Sequence, residues 1–449
     1  MKKILTLLLI LVSIMAVACT PKEKELFPEG YVTPVVRIIT ENNAPVVSKE
    51  DYVDCTVVLE DAKGVTALDG VEAGVRGRGN HTWTLDKKGY RIKFDKKQAM
   101  LSDYKCKSWA LLPNYTDKTL FRNYLAFRMA NQMDGIEWST DAKIIELYLN
   151  NEYLGVYLLC DQTEVDENRV DVTISETDSV TGFLVERDHY SISDPSMVKG
   201  RDYFTIEGDV LSYTGNPKDN FELPYVIKEP EYPDKDDYDT EEAFNAAESL
   251  YMEQFEYIKN YVTGVYQAIK AHDLNELEKF VELESFVDYA MIDEVLSNYE
   301  SNRVSSFYMH KDINSKLRLG PCWDYDSTVG FVPYAQNPNH HFRNECKFFN
   351  ELGSCSKYMN MYRDNFNKYE EMIVKEVDNL TKAYTANKAA IDRNNDRWPI
   401  SVYVYPMTET MSSMTTYKEH LNYLQNWVKG RCDYLSEYLN KSTNFVFNW

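Results

Sequence analysis

The chain has 449 residues, 44% of them apolar, with 71 acidic against 49 basic side chains and a formal net charge of −22. That balance excludes a general polyanion binder, because a nucleic-acid protein needs a basic face, so no nucleic-acid partner is expected; a small local basic pocket stays open. The length suffices for one large or two ordinary domains with a sizeable core, and thirty-four tyrosines, apolar rings with a polar tip, suit a wet groove or an extracytoplasmic surface.

Residues 1–18 read as a secretory signal: Lys2 and Lys3 give the positive start and residues 4–17 an apolar run too short for an ordinary membrane span. The run ends Ala16-Val17-Ala18-Cys19, which looks like a bacterial lipobox, the alternative being a plain cleaved signal with a coincidental cysteine. With a lipobox, Cys19 is lipidated, residues 19–30 form a tether, and the protein is held at the cell envelope, outside the cytoplasm, by lipid rather than by a span.

Residues 32–40 and 55–60 are β-rich, and residues 74–83 form a basic, glycine-bearing turn. Residues 90–94 alternate, with Tyr90, Ile92 and Phe94 on one face and Arg91 and Lys93 on the other. Asp117 caps a helix predicted over 118–133, and residues 144–159 read as a hairpin around Asn150-Asn151-Glu152 with Gly155 as a bulge. A strand follows at 182–187. Residues 191–240, rich in Asp, Pro and Gly, read as an irregular excursion with short strands near 204–206 and 225–228. From 241 to 298 the period turns helical, with Leu283, Phe286, Tyr289, Ile292 and Leu296 as the buried stripe of the last helix. Residues 298–326 read as a polar loop, a hairpin and a turn bearing Asp324 and Asp326, and helices fill most of 355–438. A β-rich part over 31–190 and a helical part over 241–449 predict an α+β, two-lobed layout with a ligand between the lobes.

Seven cysteines follow Cys19, an odd number without C-x-x-C spacing, which excludes a zinc ribbon and predicts buried packing thiols. Cys346 and Cys355 are one pair open to oxidation.

Three constellations carry chemistry. Arg76 and Arg78, among glycines at 74, 77 and 79, can approach an anion, or can simply sit on a tight turn. Lys93, on an alternating strand after that turn, is placed like a phosphate-holding lysine, or is one cation of a solvated face; Glu146 and Glu164 are both open as its ion-pair partner. Asp324 and Asp326 can hold Mg²⁺, or close an Asx turn. Facing them are Asn298, Glu300 and Asn302: Glu300 can accept the proton of an attacking hydroxyl and an Asn can add a metal contact, or the stretch is a polar helix end. Glycoside hydrolysis by Glu300 with Asp324 or Asp326 is a rival, but it leaves the basic turn and the strand lysine without a role.

These residues resemble the CotH-type atypical kinases, a spore-coat kinase family also found among bacterial surface lipoproteins. The resemblance runs from about 32 to 397. It is carried by residues 75–83 (Val-Arg-Gly-Arg-Gly-Asn-His-Thr-Trp), 88–94 (Lys-Gly-Tyr-Arg-Ile-Lys-Phe), 107–114 (Lys-Ser-Trp-Ala-Leu-Leu-Pro-Asn), 120–126 (Leu-Phe-Arg-Asn-Tyr-Leu-Ala), 146–157 and 319–326 (Leu-Gly-Pro-Cys-Trp-Asp-Tyr-Asp). It implies a reduced protein-kinase-like fold that transfers the γ-phosphoryl of ATP to protein Ser/Thr with Mg²⁺ or Mn²⁺. On that likeness Asp324 matches the metal-binding aspartate, Lys93 a nucleotide-side lysine, and Glu300 falls where relatives carry aspartate. The longer glutamate side chain shifts a positioned carboxylate beyond the ångström-scale tolerance of catalysis, which sets up the alternative of a non-catalytic surface lipoprotein that binds a protein or glycan.

Overall fold

The structure is a computed structural model and describes residues 25–211, 220–298, 305–331, 337–339, 347–403 and 408–441. Cys19, Glu300, Asn302 and Cys346, and with them the signal and lipidation readings, lie outside the described residues. The fold is mixed α+β. β1 (Val35–Thr40), β2 (Val53–Glu60), β3 (Thr66–Arg78), β4 (Gly89–Gln98), β5 (Cys106–Leu112), β6 (Lys143–Leu149) and β7 (Glu152–Asp161) close a barrel in the order β1-β2-β3-β4-β5-β7-β6, with β1 parallel to β6. The period-2 alternation explains its interior: Val36, Val57, Val75, Ile92, Phe94 and Leu111 point inward to one core. Ala110, Leu112, Val156, Leu158 and Cys160 alternate outward and join a second core with α1 (Arg122–Ala130).

β8 (Phe183–Arg187), β9 (Tyr203–Leu211), β10 (Phe221–Glu229), β11 (Phe307–Lys311) and β12 (Arg318–Leu319) make a second, antiparallel sheet in the order β12-β11-β8-β10-β9. The stretch 191–240, read as an irregular excursion with short strands near 204–206 and 225–228, supplies two strands at those places that run longer, nine residues each. The helical part comprises α2 (Glu241–Lys270), α3 (Leu274–Phe280), α4 (Leu283–Leu296), α5 (Lys347–Leu352), α6 (Ser356–Ala386), α7 (Lys388–Arg397) and α8 (Tyr417–Lys441). Thr240 caps α2, accepting the Ala243 N–H. All five predicted stripe residues of α4 are buried, together with Asp288 and Asp293.

Two local readings change. Arg76 and Arg78 lie on β3, not in a turn. Gly77 mimics a turn signal because it runs against the Trp83 ring, where any Cβ would collide. The helix predicted over 118–133 shortens to α1, although the Asp117 carboxylate does accept the Arg122 N–H at its first turn (2.9 Å). The 144–159 hairpin forms as read, with Asn150 and Asn151 in the left-handed region (φ 50° and 66°).

The C-terminal part returns to the barrel. Arg393 on α7 forks onto Glu146 of β6 (2.9 and 2.6 Å), and Trp398 Nε1 donates to the Leu154 carbonyl (2.8 Å). Asn394 Oδ1 accepts from the Val156 N–H and from Lys87 Nζ, both at 3.0 Å. Lys87, 1% exposed, also donates to the Pro113 and Val156 carbonyls (2.8 and 2.6 Å). Gly155 (φ 116°) lets the helix come this close, since a Cβ there would stand 2.6 Å from Asn394 Oδ1. Among the described residues six cysteines are free thiols, all buried but the partly exposed Cys355, and the reading that pairs it with Cys346 lies outside those residues. Among the described residues no helix is long and apolar enough to cross a membrane.

Candidate active site

The acid turn follows the β11–β12 hairpin, as the sequence reading placed it. Asp324 takes the left-handed conformation (φ 64°), which is unusual for a residue with a Cβ and marks a constrained position. Tyr325, fully buried, is the peg between the two acids. Its N–H donates to Asn123 Oδ1 (2.6 Å) on α1, and its hydroxyl donates to Asp293 Oδ1 (2.8 Å) on α4. Asp326 Oδ2 accepts from the Thr116 hydroxyl at 2.9 Å. Below, the buried Asp117–Arg122 ion pair holds the end of the turn, with Arg122 Nε donating to the Thr328 carbonyl (2.8 Å).

Electrostatics follow from this crowding. Burial, and next the neighbouring Asp324, push the Asp326 carboxyl up to about 7. A displacement of that size is on the order of 4 kcal/mol of unrelieved cost for the charged form, which an adjacent divalent cation would remove. Two carboxylates one residue apart are oxygen donors of the kind a hard divalent cation takes. Among the described residues no group of three or more His, Cys, Asp or Glu could hold one. Mg²⁺ commonly takes one or two carboxylates and fills the rest of its shell with phosphate oxygens and water, so two acids suit it.

Opposite the acids stands the outer face of β3. The Arg78 guanidinium lies 4.9 Å over the Trp323 ring, and that ring stacks on Phe127 (5.5 Å, 26°). Arg78 Nε donates to Gln162 at 3.5 Å. Burial pulls Arg78 below the usual arginine range, while Tyr308 and Asp324 act in the other direction, which places the cation beside the first acid. On the second sheet, burial and Glu186 push Asp188 up to about 7. Burial, then Glu231 and Glu164, do the same to Glu229. Like-charged carboxylates thus crowd together along the second sheet.

The remaining candidates divide. Arg76 faces the same way as Arg78, 3.8 Å from Glu50 and 5.1 Å over the Tyr52 ring. Lys93 is exposed and opens on a different place, a groove of about 890 Å³ lined by Tyr52, Asp54, Glu72, Asp95 and Lys107. Arg78 registers with Gly89, so Lys93 lies four residues, about 13 Å, further along β4. The structure does not bring it beside the acids. Neither open partner serves it: Glu146 is taken by Arg393, and Glu164 pairs with Arg91 and Arg169. Asn298, fully buried, donates through Nδ2 to Asp293 Oδ1 (3.1 Å), the same oxygen that receives the Tyr325 hydroxyl. It stands behind the peg, at the left-handed end of α4, where Ser297 has φ 50°.

Thr116, Asn123 and Asp293 escape the sequence reading as site residues, and Asp117 enters it only as a helix cap. Their only signal is polarity within apolar surroundings, Asn123 inside 120–126 and Asp293 inside the α4 stripe. The chain belongs to the CotH kinase protein family, whose model matches residues 75–435. Among curated proteins none matches the chain.

Proposed function

We propose that the protein is an atypical kinase, with barrel and helical part acting as the lobes of a reduced kinase-like fold, transferring the γ-phosphoryl of ATP to protein Ser/Thr. The observation that carries this reading is the pair Asp324 and Asp326 on either side of the pinned Tyr325, with the Arg78 guanidinium over the adjoining Trp323 ring. Family membership supports it. In this reading Asp324 and Asp326 hold Mg²⁺ or Mn²⁺, which neutralises phosphate charge when bound. Arg78 and Arg76 attract the polyphosphate, and Trp323 keeps Arg78 extended toward it. Asn298 supports the turn through Asp293. Glu300 accepts the proton of the acceptor hydroxyl as its oxygen bonds to the γ-phosphorus; the bond to the β-phosphate oxygen breaks, leaving ADP and a phosphoester. Cys19 lipidation would hold this chemistry at the outer side of a bacterial membrane.

A thermal-shift titration with ATP and Mn²⁺ tests the reading, followed by phosphotransfer assays on wild type, Asp324→Ala and Glu300→Asp. Wild type should be stabilised and label protein, Asp324→Ala should lose both, and Glu300→Asp should transfer faster. No stabilisation of wild type by ATP with Mn²⁺ overturns it in favour of the binding module.

A further inference from the structure

The groove beside Lys93 lies outside the site described above, and phosphoryl transfer gives its lining no role. It crosses five neighbouring strands. Glu41 comes from the end of β1, Asp54 from β2, Glu72 and Gly74 from β3, Lys93 and Asp95 from β4, and Lys107 from β5. Four strand spacings of about 4.8 Å make it about 19 Å long, room for about six residues of extended chain. Gly74 registers with Asp54 on one side and Lys93 on the other. A Cβ at 74 would stand 2.9 Å from the Tyr52 ring, so glycine is what lets that ring lie down on β3 between them.

The six charged side chains of the groove are all exposed, and none makes an ion pair or a side-chain hydrogen bond with a described residue. Charges elsewhere on the barrel do pair, Arg37 with Glu60 and Lys97 with Asp166. Within the groove the signs are segregated. β1 to β3 bring three acids and no cation, whereas β4 and β5 bring both lysines and one acid. Glu72 and Asp95, one step past the Ala73–Phe94 pair, face each other as like charges, a repulsion that a cation laid between them removes.

We propose that this groove docks an extended segment of a partner protein, with basic residues over β1–β3 and carboxylates over β4 and β5. Ordered charge of this kind fixes register and partner choice more than raw affinity. A polyanion would meet four carboxylates. A neutral glycan would leave all six charges unspent and find one ring to stack on, Tyr52, because Phe94 is buried inside the barrel.

Fluorescence anisotropy on the full chain with capped, labelled hexapeptides tests this. The probes are Lys-Lys-Gln-Gln-Glu-Glu and the alternating Lys-Glu-Gln-Lys-Glu-Gln, equal in composition and without net charge. Neither carries a hydroxyl, so transfer plays no part. At low salt the blocked peptide should bind about tenfold tighter than the alternating one, since several weak ion pairs add, and the preference should vanish by about 0.5 M salt. The double variants Asp54→Asn, Glu72→Gln and Lys93→Gln, Lys107→Gln should each abolish the preference. Both change exposed side chains, and melting curves check that the variants fold. Equal binding of the two peptides, or a preference that survives both double variants, overturns the docking proposal. So does cellohexaose binding tighter than the blocked peptide and lost in Tyr52→Ala. The phosphoryl-transfer reading is judged separately. Asp54→Asn, Glu72→Gln should keep the stabilisation by ATP with Mn²⁺, and a wild type that shows none overturns that reading while the peptide preference stands.

Discussion

His420 on α8 shows how one side chain can set the acid limit of the molecule. It is 1% exposed, and neither ring nitrogen has a hydrogen-bond partner. Burial, and next the nearby Arg122, pull its pKa down to about 4. The unfolded chain takes up the proton near pH 6.5, before the folded one does. Stability from this residue is therefore complete above about pH 6.5 and is lost as the pH falls toward 4, by on the order of 3 kcal/mol. His420→Leu should match or exceed wild type at pH 8, since a buried group without partners is removed. It should also lose much of the decline between pH 6.5 and 4.5. Urea melts at three pH values read this directly, and an unchanged acid slope would contradict it. At the same scale, the sequence announces Asp324 and Asp326 by turn chemistry. It cannot announce Thr116 and Asn123, which meet that turn from 210 and 202 residues away. Arg91 and Lys93 share one face of one strand, so alternation cannot rank them; only the fold, by delivering Glu164 to one of the two, does.

Among the elements, α4 is the beam on which the acid turn rests, and Asp288 ties it sideways. Asp288 Oδ2 accepts the Gly135 N–H and Oδ1 accepts from Asn365 on α6, both at 2.8 Å. Burial outweighs these bonds and pushes the carboxyl up to about 6. Here the folded state holds the proton longer than the unfolded one, whose aspartate titrates near 3.9. Stability from this group is full below about pH 4 and falls as pH rises through 6. Asp288→Asn keeps an oxygen for Gly135 and removes the charge, so its advantage over wild type should grow by about 1–3 kcal/mol between pH 4 and pH 7.5, read by chemical denaturation. Elements with strong local patterns, such as the α4 stripe and the Asn150-Asn151 hairpin, were legible. Of β9 and β10 only the short centres near 204–206 and 225–228 were, because Pro, Gly and Asp around them resemble loop. Their pairing depends on β8 and on a tyrosine, Tyr225, whose hydroxyl reaches Asp209 (2.7 Å).

For the whole molecule, the return of α7 to β6 and β7 couples both parts of the chain. Heating should give one calorimetric transition, because the helical part cannot leave without stripping Asn394 from Lys87 and Val156. Two well-separated endotherms would contradict this. Gly155→Ala should lower the midpoint without splitting the transition, at a cost of about 1–3 kcal/mol, since the added methyl meets Asn394 across a strained backbone.

The same clasp has a kinetic side. Val156 and its acceptor Asn394 are 238 residues apart, so closing that loop costs about 5 kcal/mol of chain entropy. At ordinary synthesis speeds of about 5–20 residues per second, the strands emerge roughly 10–50 seconds before the segment that seals them. For that interval the ammonium of Lys87 lacks one of its three oxygens, and the nascent barrel stays open to chaperones and proteases.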